Sequence, residues 1–279
     1  LHSLTHRIEA RHLVQVKEYE AAPTDAAAYG KASFWDARYL QSEEVFEWYH
    51  PWPNLAPSLS RYLATTDRVL LCGCGNSDMG AEMCADGYEH VTGADISRVV
   101  IDQMSDKHPD LTCEFFRRWW RHVSTDLTLT GFADGEFDVA IDKACLDAVS
   151  CHMEGPERLR KYLQEMDRIT ADEGAFVCIS HAPPAQRLPL LEDFDADRPA
   201  TMLAWDVHVD AIAKPTPQRF ALPDLTDASE MYFIYVCLKN PDKAARKRWL
   251  LEKGERDRQK ALAKALGRPR PPGGRGRGR

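Results

Sequence analysis

The sequence predicts an α/β fold: a Rossmann-like, doubly wound seven-stranded sheet, mostly parallel with an antiparallel last strand. Three observations lead there. Short apolar runs alternate with helical patterns through the middle of the chain, as parallel strands do when crossover helices join them. The first run, at 69–72, passes straight into a Gly-x-Gly turn at 73–75. The last two runs, 205–213 and 231–238, have no clear helix between them and read as a hairpin with strand seven antiparallel.

Taken in order, residues 4–20 read as a helix without chemistry, and 29–50 as an aromatic lid. Pro51, Pro53 and Pro57 break the chain, and a helix near 55–64 leads into strand one at 69–72. Residues 78–87 form the first crossover helix, ended by Gly87. HVTGADI at 90–96 is strand two, and 97–107 is a helix capped by Ser97. Strand three lies within 111–126, where part of FFRRWWRHVS (115–124) reads as an insertion. Strand four is 137–141, and 156–170 a helix with Pro156 in its first turn. AFVCIS at 175–180 is strand five, 205–213 strand six and 231–238 strand seven. From 242 a charged helix runs to Gly267. The following RPRPPGGRGRGR buries nothing and reads as disordered. The expected divisions are an N-terminal helical extension (1–28), a catalytic domain (29–240) and a basic helix with an Arg/Gly/Pro-rich tail (241–279).

The chemistry starts at LLCGCGNS, 70–77. Gly73 and Gly75 permit a tight turn and let a ligand approach bare backbone. The helix that follows offers unpaired N–H groups. Asp95, about twenty residues on, can accept hydrogen bonds from two ribose hydroxyls. The loop alone does not name its cofactor. A dinucleotide fingerprint wants a third glycine where Asp78 stands, and an acid there opposes a pyrophosphate. S-adenosylmethionine (SAM), which has no phosphate, fits better than NAD. Upstream, Tyr29, Phe34, Trp35, Tyr39, Phe46, Trp48 and Tyr49 crowd into 29–49. Such rings either pack a lid helix on the sheet or face a cationic sulfonium. Ahead of a Gly-x-Gly strand they read as a cofactor lid. Strand four ends in Asp142-Lys143, so Gly73, Asp95 and Lys143 should meet at the carboxyl ends of adjacent strands.

Together these blocks resemble the seven-strand methyltransferases that modify lysines of eukaryotic translation elongation factor 1-alpha, the methyltransferase-like thirteen group. The blocks are FWDARY (34–39) with FEWY (46–49), LLCGCGNS (70–77), ADISRVVIDQM (94–104) and DKACLDA (142–148), with a weaker echo at 232–240. The resemblance covers about residues 29–180. It implies a SAM-dependent protein-lysine N-methyltransferase acting on that factor or a similar protein, with S-adenosylhomocysteine as product. It further implies that Trp35, Tyr39 and Trp48 contact SAM from the lid, and that Gly73 lines the turn. Asp95 would take the ribose, with Ile96 against the adenine. Asp126 and Leu127 would stand near the adenine amino group, and Lys143 would close the site. Two departures stand out. Ala144-Cys145 replaces the family's Gly-Thr, which should change the turn beside the cofactor. The 115–124 segment is also longer than the family's.

Methyl transfer is a displacement at carbon that needs no metal. A lysine nucleophile must lose a proton, and Asp142 is the candidate to orient the amine and accept it. The other reading of Asp142 is a partner for Lys143 or Arg38. His181, at the end of strand five, reads first as a structural histidine and second as a substrate contact.

The eight cysteines show no Cys-x-x-Cys pair and no metal is expected; the thiols read as reduced, in the cytoplasm or nucleus. No apolar run is long enough for a membrane span, and no signal peptide is visible. Charge is uneven. Residues 243–279 hold 14 of the 36 Lys/Arg and 3 of the 43 Asp/Glu, which leaves an acidic body. That body suits a basic protein partner, and the tail suits RNA or the ribosome. Two other readings stay open: a methyltransferase for a small molecule, and a non-catalytic scaffold or RNA-binding protein that keeps the fold.

Overall fold

The computed structural model describes residues 26–109, 119–192, 203, 205–215 and 227–239. The expected N-terminal helix at 4–20 and the basic segment from 242 lie outside the described residues. Seven strands form one sheet in the order β3-β2-β1-β4-β5-β7-β6. They are β1 Arg68–Cys72, β2 His90–Asp95, β3 Trp119–Ser124, β4 Phe137–Lys143, β5 Thr170–Ser180, β6 Asp206–Ala213 and β7 Met231–Leu238. The first five are parallel, and β7 runs antiparallel between β5 and β6. The expected α/β sheet and its antiparallel last strand are what the chain adopts.

Both faces of the sheet are covered, so the central strands carry apolar residues toward both faces rather than at alternate positions only. Val69 and Leu71, Val177 and Ile179, and Ile234 and Val236 point to one core. There they meet α2 (Trp52–Leu59), α3 (Met79–Ala85) and α4 (Arg98–Lys107). Leu70 and Cys72, Phe176 and Cys178, and Tyr235 and Cys237 point to the other. It is filled by α5 (Cys145–Ser150) and α6 (Gly155–Ile169), with α7 (Pro184–Leu191) at its edge. Leu159, Tyr162, Leu163, Met166 and Ile169 of α6 recur at helical spacing and are all buried. A lid helix, α1 (Ala32–Gln41), and the irregular segment 42–51 lie across the carboxyl ends of the strands.

Strand three, expected within 111–126, is Trp119–Ser124, paired in register with β2 from Trp119↔His90 to Ser124↔Asp95. Residues 115–118 of the segment read in part as an insertion lie outside the described residues. As an edge strand it has one neighbour, so it accepts Arg121, whose guanidinium reaches Glu136 at 2.9 Å. The prolines after the lid do not exclude a helix. Pro53 sits in the first turn of α2, where no N–H is needed, and Pro57 lies inside the helix. The helix therefore starts at Trp52, ahead of the expected 55–64.

Candidate active site

The β1 turn is built as the glycines require. Gly73 has φ +60° and Gly75 φ +52°, a region costly for any side chain. A Cβ on Gly73 would lie 2.9 Å from Cys145 Sγ, and one on Gly75 would lie 2.8 Å from the Tyr39 hydroxyl. The turn opens on a cavity at the carboxyl ends of β1, β2 and β4. Trp35, Tyr39, Trp48, Gly73, Gly75, Asp95, Ile96, Asp126, Leu127 and Lys143 all line it. Asp142 alone among the expected site residues does not.

Asp95 ends β2 with its carboxylate buried. Its Oδ2 accepts from Gly75 N at 3.0 Å and its Oδ1 from Ser97 N at 2.9 Å. Each oxygen keeps a lone pair for a further donor. Burial pushes the carboxyl up to about 6, with the backbone N–H groups of Ser97, Gly75 and Ile96 acting against it, so it is mainly ionised at neutral pH. Asp126 follows β3. Its Oδ1 accepts from the Thr128 amide and hydroxyl, and its Oδ2 from Arg158 at 2.6 Å. Burial acts to raise this carboxyl, but the Thr128 and Arg158 bonds hold it below the usual range.

The lid is fastened by groups the motif reading passed over. Glu47, between Phe46 and Trp48, accepts from the Ser77 hydroxyl (2.7 and 2.8 Å) and from Asp78 N (3.0 Å), and pairs with Lys143. Asn76 takes Phe46 N on its Oδ1 at 3.2 Å and gives its amide to Glu44 O at 2.6 Å. The Asn-Ser of the glycine motif therefore holds the lid. Glu47 also fills the start of α3, where dinucleotide folds place a pyrophosphate. Asp78, expected to oppose a phosphate, is instead turned to Lys107 (2.5 Å) and His108 (3.4 Å) of the α4 end and lies off the cavity. Glu47, rather than Asp78, sets a negative charge where a pyrophosphate would lie.

Asp142 is displaced from its expected role by strand alternation. It shares the sheet face of Ala140 and points toward α6, where Tyr162 donates to its Oδ2 and Leu146 N does so at 2.8 Å. It is fully buried, away from the cavity, and touches neither Lys143 nor Arg38. It cannot take a proton from a substrate there. Burial raises its carboxyl to about 7. The Ala144-Cys145 departure leaves a working turn. Ala144 adopts φ +74°, its N–H reaches Ile179 O at 3.1 Å, and its carbonyl accepts Ala148 N at 3.1 Å.

A second cluster was not foreseen. Tyr49, Asp147, Ser180, His181 and Arg187 converge at the cavity mouth, with Asp147 at the centre. Tyr49 lies in FEWY and Asp147 in DKACLDA, but nothing in their spacing brings the two together. His181, for which substrate contact was the second reading, lines the cavity. Among the described residues, no three His, Cys, Asp or Glu side chains are grouped to hold a metal ion, and no helix is long and apolar enough to cross a membrane.

Comparison with known proteins agrees with this geometry. Residues 70–178 match a family model described as a methyltransferase domain. An eEF1A lysine and N-terminal methyltransferase of Danio rerio is 30% identical over 226 residues, covering 78% of this chain and 29% of that protein. An EEF1A lysine methyltransferase 4 of Bos taurus is 28% identical over 172 residues, covering 58% of this chain and 65% of that protein. The chain thus spans less than a third of the zebrafish relative's length. Among solved structures, the 1,6-didemethyltoxoflavin-N1-methyltransferase of Burkholderia thailandensis, with S-adenosylhomocysteine bound, has a TM-score of 0.51. It is 19% identical, and the match covers 81% of this chain and 93% of that one. At that identity the likeness is one of fold.

Proposed function

This chain belongs to the class I SAM-dependent methyltransferases, and from that premise we propose that it methylates a lysine amine of a protein, elongation factor 1-alpha first. The observation that carries the reading is one cavity that joins a ribose-binding acid, an aromatic lid and a polar mouth. The residues fit SAM. The two spare lone pairs of Asp95 match a ribose diol, and Ile96 and Leu127 offer apolar walls to an adenine. Asp126 Oδ2 keeps a lone pair for the adenine amino group. Arg38, on the cavity wall and 5.2 Å from the Phe46 ring, supplies positive charge for a carboxylate head. When bound, SAM supplies a methyl group on a sulfonium.

The chain's part is to bind, align and exclude water. Trp35, Phe46 and Trp48 wall the cavity with rings, which suit a cation and keep out bulk solvent. An apolar approach also favours the neutral, reactive form of a lysine amine by desolvation. Glu47, Asn76 and Lys143 hold the lid in the closed arrangement this requires. The acidic body of the sequence suits a basic protein partner. On this reading the basic segment 243–279 adds a salt-dependent contact to RNA or the ribosome.

The test is transfer from tritiated SAM to recombinant elongation factor 1-alpha made in bacteria, with hypomethylated eukaryotic lysate alongside. Label on a lysine of the factor is expected. Label only in a low-mass fraction would identify a small-molecule enzyme instead.

A further inference from the structure

The fit to SAM leaves the cluster at the cavity mouth without a task. Asp147, on α5, is nearly out of solvent, and four donors reach it. Its Oδ1 accepts from Arg187 and from the Ser180 hydroxyl at 2.7 Å. Its Oδ2 accepts from the Tyr49 hydroxyl, and His181 Nδ1 lies 3.2 Å away. Tyr49 Oη and His181 Nδ1 are themselves 3.1 Å apart. The Tyr49 hydrogen is already given to the carboxylate. A bare Nδ1 would then set its lone pair against two oxygens, so the hydrogen of the neutral imidazole sits on Nδ1. Nε2 is left as an acceptor. The His181 side chain is 62% exposed and lines the same cavity as Gly73 and Asp95.

Tyr49 reinforces the point. Its φ is +63°, an outlier for a bulky residue, and its ring packs on Tyr232 at 4.4 Å between centroids. Strain of this kind persists where surrounding contacts fix it, and it gathers at functional sites. Here it brings the phenol to Asp147 and His181.

We propose that Nε2 of His181 accepts the proton of the incoming lysine ammonium, with Asp147 and Tyr49 as positioning residues. The role rests on the amine-methyltransferase reading above. An ammonium has no lone pair, and lysine's ordinary pKa of about 10.4 keeps it in that form at neutral pH. Nε2 takes one N–H proton. The lone pair so released forms the N–C bond to the methyl carbon as the C–S bond breaks, and that bond's electron pair stays on sulfur. The positive charge lost at sulfur reappears on the methylated nitrogen. The proton on His181 leaves through its exposed edge to water. The groups facing the imidazole are Asp147 from α5, Tyr49 from the lid, Arg187 from α7 and Lys214 after β6. The hydrogen bond to Asp147 leads and raises the imidazole pKa, while burial, Arg187 and Lys214 act to lower it.

The experiment is single-turnover methyl transfer to recombinant elongation factor 1-alpha between pH 5.5 and 9.5, with SAM affinity measured on the same samples. Wild type is compared with His181→Ala and His181→Asn. Asparagine can place an amide N–H where Nδ1–H lies, so it keeps the bond to Asp147 but carries no base. The wild-type rate should rise along an acid limb and level off. Both variants should fall on the order of 10²-fold at pH 7, lose that limb and keep unchanged SAM affinity. A His181→Asn enzyme with the wild-type rate and profile overturns the base role while the amine reading stands. A wild-type enzyme that labels no protein amine overturns that reading, and the His181 role with it.

Discussion

Asp142 sits fully out of solvent between Tyr162 and the first turn of α5, and its Oδ1 has no hydrogen-bond partner among the described residues. Its folded-state pKa of about 7 lies above the ordinary carboxyl value of about 3.9. A raised pKa favours folding when the group is protonated. Its contribution is therefore fully present below about pH 4 and is lost as pH rises through about 7. Asp142→Asn keeps an oxygen for Leu146 and Tyr162 but cannot titrate. Urea unfolding of the variant should lack a fall of up to ~1.4 kcal/mol per pH unit that wild type shows between those limits. Equal slopes would show that Asp142 does not titrate in the fold. The same residue marks a limit of reading motifs. Asp142 and Lys143 are neighbours in the sequence, and both looked available at a strand end. Alternation sends Asp142 under the sheet, and only Lys143 reaches the cavity. Gly73, Gly75 and Asp95 were legible because each has a local reason, a positive φ or a strand terminus. The Tyr49–Asp147 contact joins residues 98 positions apart and has no local signal.

The lid and the glycine loop act as one element through Glu47. Its carboxylate takes the Ser77 hydroxyl, the Asp78 amide and Lys143, and so ties 42–51 to α3 and β4. Glu47→Ala removes these bonds and leaves Lys143 without its partner. Charge-assisted bonds contribute ~1.5–3 kcal/mol each, though an open lid regains part of this in water. SAM affinity should fall by about tenfold, with faster amide hydrogen exchange confined to 42–51. Unchanged exchange there would show that the aromatic packing, not Glu47, holds the lid. At this scale all seven strands were legible, six from apolar runs and turn residues and strand three only within the wide bounds 111–126. The bounds of strand three were obscured because an edge strand can carry Arg121 and His122 in place of core residues. The helix α2 was displaced because proline in a first turn is tolerated while proline in a sequence reads as a break.

At the scale of the whole molecule, the sheet order puts the ends of β1, β2 and β4 side by side, and the lid closes over them. Residues from 29 to 181 thereby share one cavity, although no block of sequence contains more than part of it. Proteins described as eEF1A lysine and N-terminal methyltransferases are about 30% identical to this chain over their matched part. The central claim is that the cavity holds SAM through Asp95. It is tested most directly by calorimetric titration of the purified chain with SAM, beside the Asp95→Ala variant. Wild type should bind one SAM per chain, and the variant should bind more weakly by roughly 2–4 kcal/mol, the worth of two partly compensated charge-assisted bonds. No heat of binding from a folded wild-type sample, or equal affinity in both, would contradict the account.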